Sequence, residues 1–153
     1  MRRTVWRIGS WASVLLAAPM AGQGAADSLL LDLHRVDTTI VIEARYATAG
    51  NFTGAPLPGY GPNRILLRRE AAAALGRVQR RLLSGGMGLK VFDGYRPVRA
   101  TRAMVEWARR SGQAHLLADG YIASQSRHNL GLAVDLTLVD WSVGGREVPM
   151  GTA

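Results

Sequence analysis

The sequence predicts an α+β domain, and three observations carry that prediction. Apolar residues recur at helical spacing between Leu66 and Ser84, and they alternate at strand spacing from Leu132 to Leu138. Gly144-Gly145 then offers a hairpin turn directly after that alternation. At 153 residues, 48% of them hydrophobic, the chain is long enough for one domain with its own core.

Residues 1–26 read as a secretory signal peptide. Arg2, Arg3 and Arg7 make a basic start, Trp11 to Met20 an apolar stretch, and Ala21, Gly22, Gly24, Ala25 and Ala26 a small-residue region. The apolar stretch is too short to span a bilayer as a stable helix. With no cysteine for lipid attachment, a periplasmic or secreted protein without a stable membrane anchor is expected. Of 19 basic residues, removing the three leader arginines leaves 16 against 11 acidic, a net +5 where the whole chain has +8. That excess suits work beside an anionic cell wall or membrane surface. No basic stripe interleaved with stacking aromatics points to nucleic acid. Zero cysteines exclude disulfides and thiolate chemistry.

The β-branched run Thr38-Thr39-Ile40-Val41-Ile42 predicts a strand over Thr39 to Glu43. Arg45 to Tyr60 is a loop, rich in the turn formers Gly50, Asn51, Gly54, Pro56, Pro58 and Gly59. Over Leu66 to Ser84 the residues Ala71, Leu75, Val78 and Leu82 form one stripe of a helix that Gly85-Gly86 ends. Its Arg69, Arg77 and Arg80 fall on other faces, where solvent is a simpler partner than phosphate. Leu89 to Asp93 is a short strand running into Gly94-Tyr95-Arg96-Pro97. Pro97 fits the first turn of a helix over Val98 to Ser111, with Ala100, Met104 and Trp107 inward. Beyond Gly144-Gly145, Arg146 to Val148 returns as a hairpin partner.

The candidate chemistry gathers around the last long strand. Leu132, Val134, Leu136 and Leu138 share one of its faces, Ala133, Asp135 and Thr137 the other. A carboxylate in so apolar a strand is costly unless a cation or hydrogen-bond donor meets it. Seven residues earlier His128 sits in a polar loop ahead of Gly131. An imidazole and a carboxylate so placed can converge on one divalent ion, and nitrogen and oxygen ligands without cysteine favour zinc. A surface or core histidine is the alternative. Arg96, braced between Tyr95 and Pro97, either offers a fork of donors to an oxyanion or forms a salt bridge with Asp93. Ser126 faces the same side as His128 if the backbone is extended, or is a plain loop serine.

Ser126, His128, Gly131, Ala133 and Asp135 reproduce the pattern Ser-x-His-x-x-Gly-x-Ala-x-Asp of the zinc D,D-peptidases. Three more stretches agree in order: Arg45-Tyr46-Ala47-Thr48 with Asn51-Phe52-Thr53-Gly54, Asp93-Gly94-Tyr95-Arg96-Pro97, and Val148-Pro149-Met150-Gly151-Thr152. From Val36 to Thr152 the chain therefore resembles the D-alanyl-D-alanine dipeptidase branch of that family. The resemblance implies a small, mainly antiparallel sheet with helices on one face, the zinc D,D-peptidase/hedgehog-like architecture. It implies one zinc ion held by His128 and Asp135, with Arg96 stabilising the oxyanion of peptide hydrolysis. It also implies Ser126 as the seat of the dipeptide's free amino terminus, and the Arg45–Tyr60 loop as part of the substrate pocket. The implied substrate is D-alanyl-D-alanine in cell-wall metabolism.

One departure stands out. The family takes a third histidine ligand and a glutamate base from a Glu-x-x-His motif beyond Met-Gly-Thr. Here Glu43, Glu70, Glu106 and Glu147 are followed three residues on by Tyr46, Ala73, Arg109 and Met150, while His34 and His115 lie outside the family's motifs. Residues 27–153 are thus expected to form the catalytic domain without its C-terminal part, with impaired turnover. The alternatives are a peptidoglycan D,D-carboxypeptidase of the same superfamily and a non-catalytic remnant.

Overall fold

The computed structural model describes residues 29–151, so the signal peptide read over residues 1–26 lies outside them. β1 (Leu30–Asp32) pairs antiparallel with β3 (Leu66–Arg68). A four-stranded sheet runs in the order β2 (Val41–Ile42), β4 (Met87–Asp93), β5 (Asp135–Asp140), β6 (Arg146–Glu147). Helix α1 (Arg69–Leu83) packs on this sheet, α2 (Val98–Arg110) follows β4, and α3 (His115–Ala118) is a single turn. Among the described residues no helix is long and apolar enough to cross a membrane.

The α+β class stands, but the sheet is mixed. β4 pairs antiparallel with β5, and β5 with β6, whereas β2 runs parallel to β4. The connection from β2 to β4 contains α1, and a helical crossover returns the chain in its starting direction, as a tight turn cannot. The Gly144-Gly145 turn does form, with φ of 74° and 76°, and Val148 N–H still donates to Leu138 O at 2.9 Å beyond β6.

Three predicted elements begin later than expected, and β2 keeps only Val41–Ile42 of the strand expected over Thr39 to Glu43. Leu66 to Arg68 join β3, because the Leu33 amide donates to Ile65 O and the Arg68 amide to Gly131 O, and α1 starts at Arg69. β5 starts at Asp135, not Leu132, since the chain leaves Gly131 in a left-handed turn of φ 67°. Val134, Leu136 and Leu138 nevertheless pack against the core holding Leu89 and Val91, whereas Leu132, expected on the same face, is half exposed.

The buried stripe of α1 is Ala72, Leu75, Gly76 and Gln79, and Val78 points to solvent at 47% exposure. Gly76 sets that rotation: a Cβ there would lie 2.7 Å from Val36 Cγ1, so this face alone approaches its neighbour closely. Gln79 is fully buried because β2 reaches only Lys90 and Val91. The Leu89 amide donates to Gln79 Oε1 at 2.8 Å, and Gln79 Nε2 donates to Thr39 Oγ1 at 2.9 Å. Gln79→Leu would strand a buried amide, and a loss of about 1–3 kcal/mol is expected from urea denaturation.

α2 belongs to a second cluster. Its Ala100, Met104 and Ala108 pack with Leu57 and Ile122, Trp107 flanking them, as its spacing predicted. The end of β4, the start of α2 and the entry to β5 meet where Asp93 lies opposite Asp135 and the Arg96 amide bonds to His128 O.

Candidate metal centre

A short turn positions the histidine. Arg127–Leu130 form one turn of 3₁₀ helix capped by Ser126, whose Oγ accepts from the His128 amide at 3.2 Å. Asn129 Oδ1 accepts from the Ser126 amide at 3.1 Å, completing a reciprocal capping box. Gly131 closes the turn against β1 and β3, where a Cβ would come within 2.8 Å of Leu30 Cδ2. The same turn is tied to the arginine segment in both directions. Arg96 N–H donates to His128 O at 3.0 Å, and Asn129 Nδ2 donates to Arg96 O at 2.8 Å and Thr101 Oγ1 at 2.9 Å.

A register shift in the sheet then sets two carboxylates face to face. Val91 lies opposite Leu136 and Asp93 opposite Asp135, with Phe92 bulged out between. Like charges across a ladder repel. Arg96 sits between them, with Nη2 2.8 Å from Asp93 Oδ2 and 3.4 Å from Asp135 Oδ2, and Nε 2.9 Å from Asp93 Oδ2. Asp93 is fully buried, and its Oδ1 accepts from Tyr60 O–H at 2.7 Å and from Gly94 N–H at 2.9 Å. Burial pushes the Asp93 carboxyl up, and Arg96 followed by Tyr60 oppose that shift. Burial works against the Arg96 charge as well, but Asp93 outweighs it and raises the guanidinium's pKa. Burial, then Asp93, lifts the Tyr60 hydroxyl far above its usual range, so it stays a donor. The Asp93 bridge foreseen for Arg96 is therefore present. Its geometry leaves Arg96 Nη1 without a hydrogen bond among the described residues.

His128 and Asp135 come together as predicted. His128 Nδ1 lies 2.9 Å from Gly94 O, and a carbonyl only accepts, so Nδ1 carries the hydrogen. Nε2 is left facing Asp135 Oδ1 at 3.4 Å. Two ligands of a tetrahedral zinc, each about 2.0–2.1 Å from it, stand about 3.3 Å apart. The pair fits. A second hydrogen bond that fixes the tautomer is the usual support of a metal-binding histidine. Asp93 completes a group of three possible ligands within 4.8 Å of one another. It lies 3.5 Å from the Nδ1 edge of the ring, with both oxygens engaged, so it braces the site and leaves the ligand role to the other two. Burial disfavours the His128 charge, but hydrogen bonds to Asp135 and to Gly94 O outweigh it and raise the imidazole above 6.5. The His128 bond holds Asp135 below 3.8 against the effect of burial.

A cavity of about 290 Å³ opens on this group, lined by Tyr46, Phe52, Arg96, Ser126, His128 and Asp135 among others. All four residues predicted for the site, Arg96, Ser126, His128 and Asp135, face it. The Arg45–Tyr60 loop supplies two walls: the Tyr46 ring lies 5.1 Å from Arg96 Cζ, and Phe52 meets the edge of Trp107 at 5.0 Å. Asn51 pins the loop by donating to Thr48 O at 2.6 Å and Ala55 O at 2.9 Å. Sequence reasoning missed Tyr60, which carries no spacing signal, and Asn129, whose place three residues after Ser126 was a usable cap signal.

Gly94 is the hub beneath the ring. A Cβ there would lie 2.6 Å from Ile65 Cγ2 and 2.7 Å from Leu66 O. Gly94→Ala is expected to cost about 1–3 kcal/mol by overpacking, read as a fall in the urea midpoint.

Comparison with known proteins shows the family. Residues 26–153 match the family model described as D-ala-D-ala dipeptidase. A D-alanyl-D-alanine dipeptidase of Streptomyces coelicolor is 40% identical over 115 residues, covering 67% of this chain and 57% of that protein. One from Enterococcus faecium is 37% identical over 123 residues, covering 72% and 60%. One from Escherichia coli is 33% identical over 111 residues, covering 72% and 54%. The chain thus spans little more than half the length of these relatives. On the family match over residues 26–153, and on these relatives, the chain belongs to the D-ala-D-ala dipeptidase family.

Proposed function

We propose that this chain carries the zinc site and substrate cleft of a D-alanyl-D-alanine dipeptidase that acts outside the cytoplasmic membrane in cell-wall metabolism. The observation behind this reading is the locked imidazole: Nδ1 is spent on Gly94 O, and Nε2 stands 3.4 Å from Asp135 Oδ1 in a cleft that also holds Arg96. The leader-like residues 1–26 and the net positive charge support export, and the family match supports the hedgehog-like architecture as part of the same reading.

His128 and Asp135 would hold the ion. Bound zinc would supply an activated water and polarise the scissile carbonyl. Arg96, clamped by Asp93, offers its Nη1 donors to the carbonyl oxygen as negative charge develops there. A cation fixed in advance stabilises that charge without reorganising. The Ser126 oxygen already accepts from the His128 amide and retains a second lone pair for the substrate's ammonium group. No glutamate of these 153 residues has a histidine three positions on, so the base and third ligand implied by resemblance have no counterpart in that spacing.

Purified chain with added zinc is expected to release D-alanine from the free dipeptide at a reduced rate, since no Glu-x-x-His supplies a base, and still faster than from a peptidoglycan stem peptide. Faster release from the stem would favour the carboxypeptidase alternative. No turnover from a chain with a folded circular-dichroism spectrum would overturn the dipeptidase reading.

A pH dependence follows. Zinc competes with the proton on His128, whose pKa is raised above 6.5, so zinc affinity should fall as pH drops through that raised value. In the metal-free protein the His128 contribution to stability is full below 6.5 and lost as pH rises through the raised value. That of Asp135 is present above 3.8 and lost as pH falls through its lowered value. Calorimetric zinc titrations at about pH 6 and pH 8 check the sign, the tighter binding being expected at the higher pH.

A further inference from the structure

A second cavity, of about 540 Å³, adjoins the cleft. The two share Tyr46, Phe52 and Asp135, but the second is not lined by Arg96, Ser126 or His128. Its remaining walls include Phe92, the residue bulged out of β4, and Arg45, the one cation that lines it among the described residues.

Arg45 is held much as Arg96 is. Its Cζ lies 3.6 Å from the centre of the Phe92 ring, and its Nε donates to Glu43 Oε1 at 3.0 Å. Stacking and one hydrogen bond fix the plane of the guanidinium. Both Nη nitrogens are without a hydrogen bond among the described residues. The other Glu43 oxygen pairs with Lys90, which also pairs with Glu147 at 2.8 Å, so the four charges balance and what Arg45 offers a ligand is its free Nη donors. A planar fork of free donors beside apolar walls is suited to a carboxylate carried next to a small apolar side chain.

We propose that Arg45 anchors the free C-terminal carboxylate of the substrate. This rests on the dipeptidase reading and adds a direction to it. The peptide lies across Asp135 with its ammonium end toward Ser126 and its carboxylate in the Arg45 cavity. Arg45 thereby selects a bond next to a free carboxyl terminus over an internal peptide bond. The Asp93–Arg96 bridge leaves Arg96 for the reacting carbonyl, so the two arginines serve two different oxygens of one substrate.

The test is an NMR titration of the zinc-loaded full chain with D-alanyl-D-alanine and with its C-terminal amide, for wild type and Arg45→Gln. The Arg45 side chain is exposed, and the amide serves as the control for indirect damage. Wild type is expected to bind the free dipeptide about 10- to 100-fold tighter than the amide, as loss of a hydrogen bond to a charged group implies. Arg45→Gln should bring the dipeptide down to the amide's affinity and leave the amide unchanged. Equal weakening of both ligands, equal binding by wild type, or binding of neither would overturn the proposal. D-alanine release measured on the same samples separates the two claims. Discrimination without turnover overturns the dipeptidase reading and keeps the subsite, whereas turnover without discrimination overturns only the subsite.

Discussion

His128→Ala is expected to lower zinc affinity by more than about 100-fold and to abolish zinc-dependent release of D-alanine. Changes to residues that merely orient a ligand already cost roughly 10- to 100-fold in affinity, so loss of the ligand itself should exceed that. Asp135 would remain as a single oxygen ligand, and Asp93 cannot replace the ring because Tyr60, Gly94 and Arg96 occupy its oxygens. The fold should survive, since the turn is capped through Ser126 and Asn129 and not through the imidazole. Calorimetric zinc titration together with the D-alanine assay reads the effect. Wild-type affinity in the variant would mean that zinc binds elsewhere.

The second large effect is on stability. Asp93→Ala should destabilise the domain by about 3–5 kcal/mol, the usual consequence of removing one partner of a buried ion pair. Arg96 would lose a fully buried counter-charge, and the Tyr60 hydroxyl and Gly94 amide would lose their acceptor together. Asp93→Asn should recover little. Its oxygen can serve Tyr60 and Gly94, but its amide group would then face the Arg96 donors. Urea denaturation measures both variants. A loss below about 1 kcal/mol for Asp93→Ala would show that Arg96 is held by something other than this bridge.

The parts of the site legible in the sequence are those set by local spacing. His128 and Asp135 lie seven residues apart, on a turn and the strand it enters, so short-range geometry alone brings them to one side. Arg96 was legible because Pro97 starts a helix directly after the strand, leaving the arginine fixed at the junction. Features that depend on distant partners were not legible. Tyr60 reaches Asp93 across 33 residues, and Gln79 reaches Thr39 across 40, each through a side chain with no periodic signal. The exposed Val78 shows the same limit. Helical spacing admits either neighbouring stripe of α1, and close approach of Val36 to Gly76 decides between them. The parallel pairing of β2 with β4 was also hidden, although a strand, a helix and a strand in succession are the local signature of a crossover.

The decisive measurement watches both ring nitrogens of His128 by long-range ¹H–¹⁵N NMR while zinc is added to one equivalent. Nε2 is expected to take the metal while Nδ1 keeps its hydrogen toward Gly94 O, and Asp135→Ala should weaken the change. Coordination through Nδ1, or no response of His128 to zinc, would contradict this expectation.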